Sequence, residues 1–574
     1  MTKLFPSAIN KKIILTIASS LGLLVILSSI YAGFHTYRAV RAVQAKDLAG
    51  AIRHAQAAQP ISQLTATLTF HQVPMVEFWQ AGLTAIIDAE QLLQTTSAYT
   101  EQMLGNSDQH DDQVLKFKAE LNHLAKQTEK LSSSSERSWL IKKFVSPSQL
   151  QQIKDVQQLL TTLPQLLSGQ HTYLIIFQNS EELRATGGFM GSYALLKLDE
   201  GQLSELKIQD IYVPAGQVEG LVTAPPGVKE YLSEDDQLHL PDANWAADFP
   251  SSAQQVMSYL AFGQETALDG LIAINLEVVE AMLTILGPIK ISDYQATVTA
   301  QNFSDIARAE RAEFFPGSQQ KRHFLSRFFN QLTYAISQSN ETQKQTLITA
   351  FLTELKMKNV LVFSQEPQLQ TLFEKTNIAG NLNLAVPTDR YLYLVESNVG
   401  INKANREVDR AVTLELNPET TLIEVSFTNR HLPPEPANLT EPAAADHLTY
   451  VNYQRLILRP DDEVTELKVN NQLLSSWDEE ILNTAAGEKF KQIGFLVTVP
   501  EKSSSNFSVK LAHPLKPGTS AADSTKAPAT DSTSPTLPSP TLYLQKQPGL
   551  KPTLYTINRH GEQKSVMLEK DLFI

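Results

Sequence analysis

The sequence contains no cysteine, and none of its histidines are paired at metal-ligand spacing. The lack of cysteine excludes disulfides, thiol catalysis, iron–sulfur clusters and cysteine-ligated zinc. The 12 histidines are scattered, with neither an H-x-H nor an H-E-x-x-H arrangement. A histidine-held transition metal therefore has no local signature in this chain.

The sequence also lacks any basic run. Lys and Arg total 48 against 61 Asp and Glu, which gives a formal net charge of −13. An acidic chain without a basic run lacks the extended phosphate-neutralising surface that nucleic-acid binding requires, which argues against nucleic acid as a partner. Hydrophobic residues make up 42% of the 574 residues and charged residues 19%. This composition allows buried cores, and the length predicts roughly three or four domains.

An uncharged apolar segment lies near the N-terminus. Residues 13–34 contain about 22 residues without a charge, which as a helix would cross the roughly 30 Å hydrocarbon core of a bilayer. Three lysines precede it, and by the positive-inside rule they keep residues 1–12 in the cytoplasm. A cleaved signal peptide is the alternative, but no A-x-A cleavage site follows. The sequence predicts a single-pass membrane protein with the bulk of the chain extracytoplasmic.

Residues 35–170 are typical of a helical stalk or bundle. Apolar residues recur there at helical spacing, for example Val114, Phe117, Leu121 and Leu124. Such stripes need a partner surface, and a coiled-coil dimer is one way to supply it. The spacing does not persist over enough heptads for a coiled coil, which favours a bundle.

Residues 171–390 predict a layered α/β domain, because short β-rich runs alternate there with helical patterns. Gly201 separates two strand-like runs and indicates a hairpin turn. From residue 391 the helical pattern ends, and regularly spaced strands over 391–515 and 542–574 predict an antiparallel β-sandwich. Between these two parts, residues 516–541 are rich in Pro, Ser and Thr and predict a disordered insertion. The predicted fold class is multidomain α+β.

The densest polar cluster follows the first strand of the α/β domain. Its candidate ligand-binding residues are Asn179, Glu182, Arg184, Thr186, Gly187 and Gly188. Arg184 is suited to hold a phosphate or carboxylate, and the glycine amides to form an anion nest. The alternative is a turn held together by its own hydrogen bonds, and the sequence weighs both about equally.

Three aspartates are candidate ligands for Mg²⁺, namely Asp242, Asp248 and Asp269. Carboxylate oxygens beside a bound phosphate suit this hard cation. For Asp248, however, the following Phe-Pro-Ser-Ser favours a helix cap. For Asp269 an ordinary turn residue is favoured.

The segments N-S-E-E-L-R-A-T-G-G-F, D-A-N-W-A-A-D-F-P and D-G-L-I-A resemble the bacterial domain-of-unknown-function family numbered 4012. The matching residues are Asn179, Glu182, Arg184, Thr186, Gly187, Gly188, Asn244, Trp245, Asp248 and Asp269. Ala185 replaces the usual proline, and Ala246 the usual small polar residue. The resemblance covers about 171–390. It implies an anchored bacterial envelope protein with a following β domain, and it implies no established activity.

The order of elements is also similar to that of LytR-CpsA-Psr phosphotransferases, which transfer glycans from polyprenyl pyrophosphate to the cell wall with arginines and Mg²⁺. In this comparison Arg184 would occupy the position of that family's first arginine. The family's I-P-R-D segment would fall at Ile211–Pro214, where no arginine occurs. A missing pyrophosphate clamp weakens transition-state stabilisation.

Three functions therefore stay open. The leading hypothesis is an envelope protein with a ligand-binding or scaffolding α/β module. The alternatives are a metal-dependent glycan phosphotransferase and a surface adhesion protein. The expected partners are the membrane, a cell-wall glycan or polyprenyl-phosphate lipid, and other envelope proteins.

Overall fold

A computed structural model gives the conformation of most of the chain. It describes residues 31–45, 47–68, 73–104, 110–215, 222–262, 267–304, 319–384, 388–431, 448–514 and 540–574. The chain divides into two units, a helical one over Met1–Gln170 with Leu198–Leu203, and a larger one over His171–Lys197 with Ser204–Ile574. The predicted α+β multidomain class is confirmed.

The first unit is a bundle of antiparallel helices within one chain. The helices are α1 (31–44), α2 (Leu48–Leu68), α3 (Pro74–Leu104), α4 (His110–Arg137), α5 (Ile141–Phe144) and α6 (Pro147–Leu166). Leu121 and Leu124 of α4 pack with Leu160 of α6 in one buried cluster, which accounts for the apolar stripe of α4. Val156 of α6 is instead exposed, so the stripe of α6 is only partly covered.

The predicted transmembrane helix is contradicted. None of the helices within the described ranges is both long enough and apolar enough to cross a membrane. The predicted anchor over 13–34, and the single-pass location that rested on it, are therefore corrected. Residues 1–30, which include most of that prediction, lie outside the described residues.

The α/β part of the second unit is a mixed five-stranded sheet between helices. The strands run in the order β3-β2-β1-β4-β7, where β1 pairs parallel to β4 and β4 antiparallel to β7. Their bounds are β1 (Gln170–Asn179), β2 (Phe189–Asp199), β3 (Gln202–Asp210), β4 (Gly270–Asn275) and β7 (Val360–Ser364), with a separate ribbon of β5 (Ile289–Ile291) and β6 (Ala296–Val298). The helices are α7 (Tyr212–Ala215), α8 (Val228–Tyr231), α9 (Phe249–Phe262), α10 (Leu276–Leu286), α11 (Gln319–Ser337), α12 (Glu341–Lys356) and α13 (Pro367–Lys375).

Side chains of β1 alternate between two cores, which explains why the strand is apolar on both faces. Leu174 and Ile176 pack in the cluster that contains α9. Ile175 and Phe177 pack on the other face against the cluster of α10 and α11. The predicted hairpin is confirmed, since Gly201 has φ +82° between β2 and β3, a conformation that glycine adopts without steric cost.

The C-terminal part is a sandwich of two sheets around one apolar core. One sheet has the order β13-β12-β16-β10-β9-β18-β19 and the other β14-β15-β11-β8-β17-β20. The strands are β8 (Arg390–Asn398), β9 (Val408–Leu416), β10 (Thr420–Asn429), β11 (Tyr450–Leu458), β12 (Glu463–Val469), β13 (Gln472–Leu473), β14 (Asp478–Asn483), β15 (Lys489–Val499), β16 (Ser503–Ala512), β17 (Leu542–Gln545), β18 (Thr553–Arg559), β19 (Glu562–Leu568) and β20 (Leu572–Phe573).

The tail after residue 541 returns to both sheets, but not in the predicted antiparallel way. Strand β17 pairs parallel to β8, and β18 pairs parallel to β9. Parallel pairing of strands close in space requires a long connection between them, and here the connection runs through the whole sandwich. The predicted disordered insertion at 516–541 lies outside the described residues, except for its last two.

Candidate functional site

The polar motif of residues 179–191 forms the turn between β1 and β2. Its backbone closes on itself, since the Phe189 N–H donates to the Glu182 carbonyl at 2.9 Å and the Gly187 N–H to the Arg184 carbonyl at 3.1 Å. The turn lies against the first strand of the sandwich, because the Asn398 N–H donates to the Leu183 carbonyl at 2.9 Å. The motif therefore stands where the α/β sheet meets the sandwich.

Arg184 is fully engaged inside the protein. Its side chain is 2% exposed, and both Nε and Nη2 lie 3.0 Å from Asp242 Oδ1. Nη1 donates to the Asn398 carbonyl at 2.7 Å and to the Leu183 carbonyl at 3.2 Å. A guanidinium with its charge paired and its donors used by the protein has little capacity left for a bound anion.

Thr186 belongs to a second buried network. Its hydroxyl donates to Gln178 Oε1 at 2.6 Å. The Asn244 amide nitrogen lies within 2.9 Å of Gln178 Oε1, Thr186 Oγ1 and the Gly188 carbonyl, and Asn244 has no solvent exposure. These bonds tie the turn to the segment before α9.

The two glycines of the motif are required by close packing. A Cβ at Gly187, where φ is +136°, would overlap the Asn275 side chain. A Cβ at Gly188 would overlap the backbone of Asn179. The glycines therefore let protein segments approach each other, and the structure shows them packed against protein rather than facing an open anion nest.

Asn179 and Glu182 differ from the other four candidate ligand-binding residues because they line a cavity. Asn179 Nδ2 lies 3.3 Å from Glu182 Oε1. The cavity has a volume of about 170 Å³ and lies between the sheet and helices α10 and α11. We call it the sheet–helix cavity. Its apolar lining is Phe177, Phe189, Ile274, Leu276, Val279, Phe303, Leu325 and Phe329, and its polar lining includes Gln178, Asn179, Glu182, Ser192, Asn275, Ser304 and Lys403.

The three candidate Mg²⁺ ligands are held apart by different partners. Asp242 pairs with Arg184. Asp248 accepts from the Ser251 N–H at 3.2 Å as the predicted cap of α9, and its other oxygen accepts from the Leu382 N–H at 3.0 Å. Asp269 accepts from the Thr172 N–H at 2.7 Å. These residues do not fit one shared cation site, and the described part of the chain contains no group of three or more His, Asp or Glu that suits a metal ion.

Buried charged groups lie close to the turn, on α10 and in the tail. Burial raises the pKa of Glu277, whose carboxylate accepts from the Ser180 hydroxyl at 2.6 Å. Burial, with the charges of Glu277 and Glu181, raises the pKa of Glu280 to about 7. In the tail, burial and the charge of Lys358 lower the pKa of Lys546 to about 8.

Sequence reasoning missed the sandwich partners of the motif. The Gln547 amide donates to the Arg184 carbonyl at 3.1 Å, and the Asn405 amide to the Ser180 carbonyl at 2.7 Å. Arg455 donates to the Trp245 carbonyl at 2.8 Å and lies over the Trp245 ring at 4.4 Å. The only signal was compositional, in the Asn-rich segment after β8 and in the Y-x-N-Y-x-R run of β11.

Comparison with known families places this turn in a recognised segment. Residues 168–311 match the family described as "Protein of unknown function (DUF4012)". The match agrees with the resemblance found in the sequence, although it ends before the expected limit near 390. The DUF4012 segment contains the whole motif and the β1, β4 and α10 walls of the cavity, whereas α11 and Lys403 lie beyond it.

Two solved structures also align with part of the chain. TagV of B. subtilis is 12% identical, with 36% of this chain and 79% of TagV covered at a TM-score of 0.22. Lin1025 of Listeria innocua is 10% identical, with 38% and 81% covered at a TM-score of 0.20. Overlap at this level does not establish a common fold. No curated protein matches the chain.

Proposed function

We propose that the chain is a cell-envelope protein whose α/β layer binds the apolar part of an amphipathic molecule in the sheet–helix cavity. The observation that carries this proposal is the cavity itself, which has apolar walls and a group of polar residues in its lining. Ligand sites are typically mostly apolar, with a few polar groups that orient the ligand. Asn179, Glu182 and Lys403 are among the polar residues of this lining.

The volume indicates the size of the bound group. At about 170 Å³ the cavity is comparable to the engineered apolar cavity of about 150 Å³ that takes up benzene. The end of an acyl or prenyl chain is of this size. A polyprenyl-phosphate lipid of the cell envelope carries such a chain.

Binding without catalysis is the function that this geometry supports best. The phosphotransferase alternative needs Arg184 and at least two aspartates in one open cleft. Arg184 is instead buried against Asp242, and Asp248 and Asp269 bind other segments. The envelope setting rests on the resemblance to DUF4012 proteins.

Displacement of a fluorescent fatty acid tests the proposal. We expect the full chain to bind cis-parinaric acid and a polyprenyl phosphate to compete for it. Val279→Phe places a ring in the cavity and should weaken binding about tenfold or more, which corresponds to ~1.4 kcal/mol. The matched control is Leu283→Phe, one turn further along α10 in the same core but outside the cavity lining.

Thermal melts of both variants report whether each is folded before binding is compared. Equal affinity in Val279→Phe and the unmodified chain would show that the probe binds elsewhere. Absence of binding by the unmodified chain would contradict the proposal directly.

A further inference from the structure

The turn between α4 and α6 exposes a group of apolar side chains. We call residues 138–145 the α4–α6 tip. Phe144 is 80% exposed, Trp139 66% and Leu140 41%. Single exposed apolar residues are common on protein surfaces, whereas adjacent large ones mark interaction sites. This group therefore indicates an interaction site.

The tip has a defined conformation that holds these side chains outward. Ile141, in its middle, is 1% exposed and anchors the single helical turn of α5. The Val145 N–H donates to the Ile141 carbonyl at 2.9 Å. Ser146 then caps α6 through a reciprocal pair of bonds with Gln149. With Ile141 turned inward and both ends fixed, Trp139 and Phe144 are left on the surface.

The tip is also positively charged. Lys142 and Lys143 lie within it, and residues 138–145 contain no Asp or Glu. The acidic residues near its base are already paired, Glu136 with Lys154 at 2.6 Å and Glu77 with Arg137. Lys143 Nζ lies 4.8 Å from the centre of the Trp139 ring. The exposed aromatic surface and the exposed positive charge thus form one patch.

We propose that the α4–α6 tip binds the surface of an anionic lipid bilayer. Aromatic rings at headgroup depth and lysines beside lipid phosphates are the side chains that interfacial segments use. The lysine stems can follow the rings into the interface while their ammonium groups stay among the phosphates. The contact is peripheral. It depends neither on a membrane-spanning helix nor on a ligand in the sheet–helix cavity.

Quenching of tryptophan fluorescence by brominated lipids tests this contact, because bromine on the acyl chains quenches only rings that reach them. The full chain has four tryptophans. With vesicles of brominated phosphatidylglycerol we expect quenching of the unmodified protein that is largely lost in Trp139→Phe. The matched control, Trp477→Phe, removes a partly buried tryptophan of the sandwich and should keep the quenching.

Charge reversal tests the lipid preference. Lys142→Glu with Lys143→Glu should reduce the Trp139 quenching on phosphatidylglycerol at least about fivefold, since each lysine contributes ~1 kcal/mol near an anionic surface. Lys126→Glu with Lys130→Glu makes the same change of charge on exposed positions of α4 and should leave the quenching nearly unchanged. Raising the salt concentration should also reduce the Trp139 quenching, because salt screens the attraction between the lysines and the anionic lipids.

Three outcomes would overturn the proposal. The first is quenching that is equal in Trp139→Phe and the unmodified chain, because the tip would then lie away from the bilayer. The second is no quenching on anionic vesicles, which would assign the patch to a protein partner. Quenching by Trp139 that is the same on phosphatidylcholine and insensitive to the lysine reversal would likewise reject the anionic surface.

Discussion

Two neighbouring regions of the α/β layer use polar residues in opposite ways. At the junction with the sandwich, Arg184, Thr186 and Asn244 are buried and bonded to protein groups. In the sheet–helix cavity, Asn179 and Glu182 lie beside apolar walls that leave a space unfilled. The residues most typical of an anion site thus bind other parts of the protein, while the cavity lies a few residues away.

The comparison shows that residue type alone does not separate binding from scaffolding. Arginine and glycine serve an anion site because they donate and because they allow close approach, and the same properties serve a tight contact between protein segments. The two roles are distinguished by what surrounds the polar groups, which is either protein atoms or a cavity. Arg184 faces Asp242 and two backbone carbonyls, whereas Asn179 and Glu182 line the sheet–helix cavity.

The largest expected effect comes from breaking the junction at Arg184. Arg184→Ala leaves Asp242 in a largely buried site without its partner, and loss of one member of a buried pair costs about 3–5 kcal/mol. Urea unfolding of the full chain measures this loss. Arg430→Ala is the control, because its pair with Asp409 is exposed on both sides and such pairs contribute at most about 1 kcal/mol. A loss for Arg184→Ala as small as that for Arg430→Ala would contradict the structural role given to Arg184.

A glycine pair in the tail gives a smaller and better-matched test of the same junction. Gly549 and Gly561 have φ of +70° and +81°, so Ala carries a similar left-handed strain of about 1–2 kcal/mol at both. Only at Gly549 would the added Cβ overlap the backbone of Gly187, whereas at Gly561 it meets nothing within 4 Å. We expect Gly549→Ala to lose a further 1–3 kcal/mol or so through overpacking, measured by thermal unfolding. Equal stability losses in Gly549→Ala and Gly561→Ala would mean that Gly549 is not packed against Gly187.

The smallest expected effect concerns Glu280, whose pKa is raised to about 7 by burial and by neighbouring carboxylates. The folded state then binds its proton more tightly than the unfolded state, so Glu280 lowers stability as the pH rises from about 4.5 to 7. Glu280→Gln should therefore stabilise the protein at pH 8 and have little effect at pH 4. Partial exposure of the group limits the gain to about 1–2 kcal/mol. A pH-independent change in melting temperature would contradict this assignment.

Local features of the fold were predictable from the sequence, and long-range ones were not. The hairpin at Gly201 and the cap at Asp248 depend on residues within a few positions, so their residue types indicate them. Arg184 binds Asp242, which is 58 positions away in the sequence, and Asn398, which is 214 positions away. No periodicity or spacing encodes such pairs. The cavity escaped prediction for the same reason, because α11 and Lys403 are distant in sequence from β1.

The pairing of β17 and β18 with β8 and β9 determines when the two sheets of the sandwich can form during synthesis. Strands β17 and β18 lie inside their sheets, each with a neighbour on both sides, and they follow strands β8 to β16 in the chain. Until these strands leave the ribosome, β8 and β9 each present an open edge to other nascent chains. A chain released early would carry the same two open edges permanently, and premature termination near residue 540 should therefore give aggregation rather than a shortened functional protein.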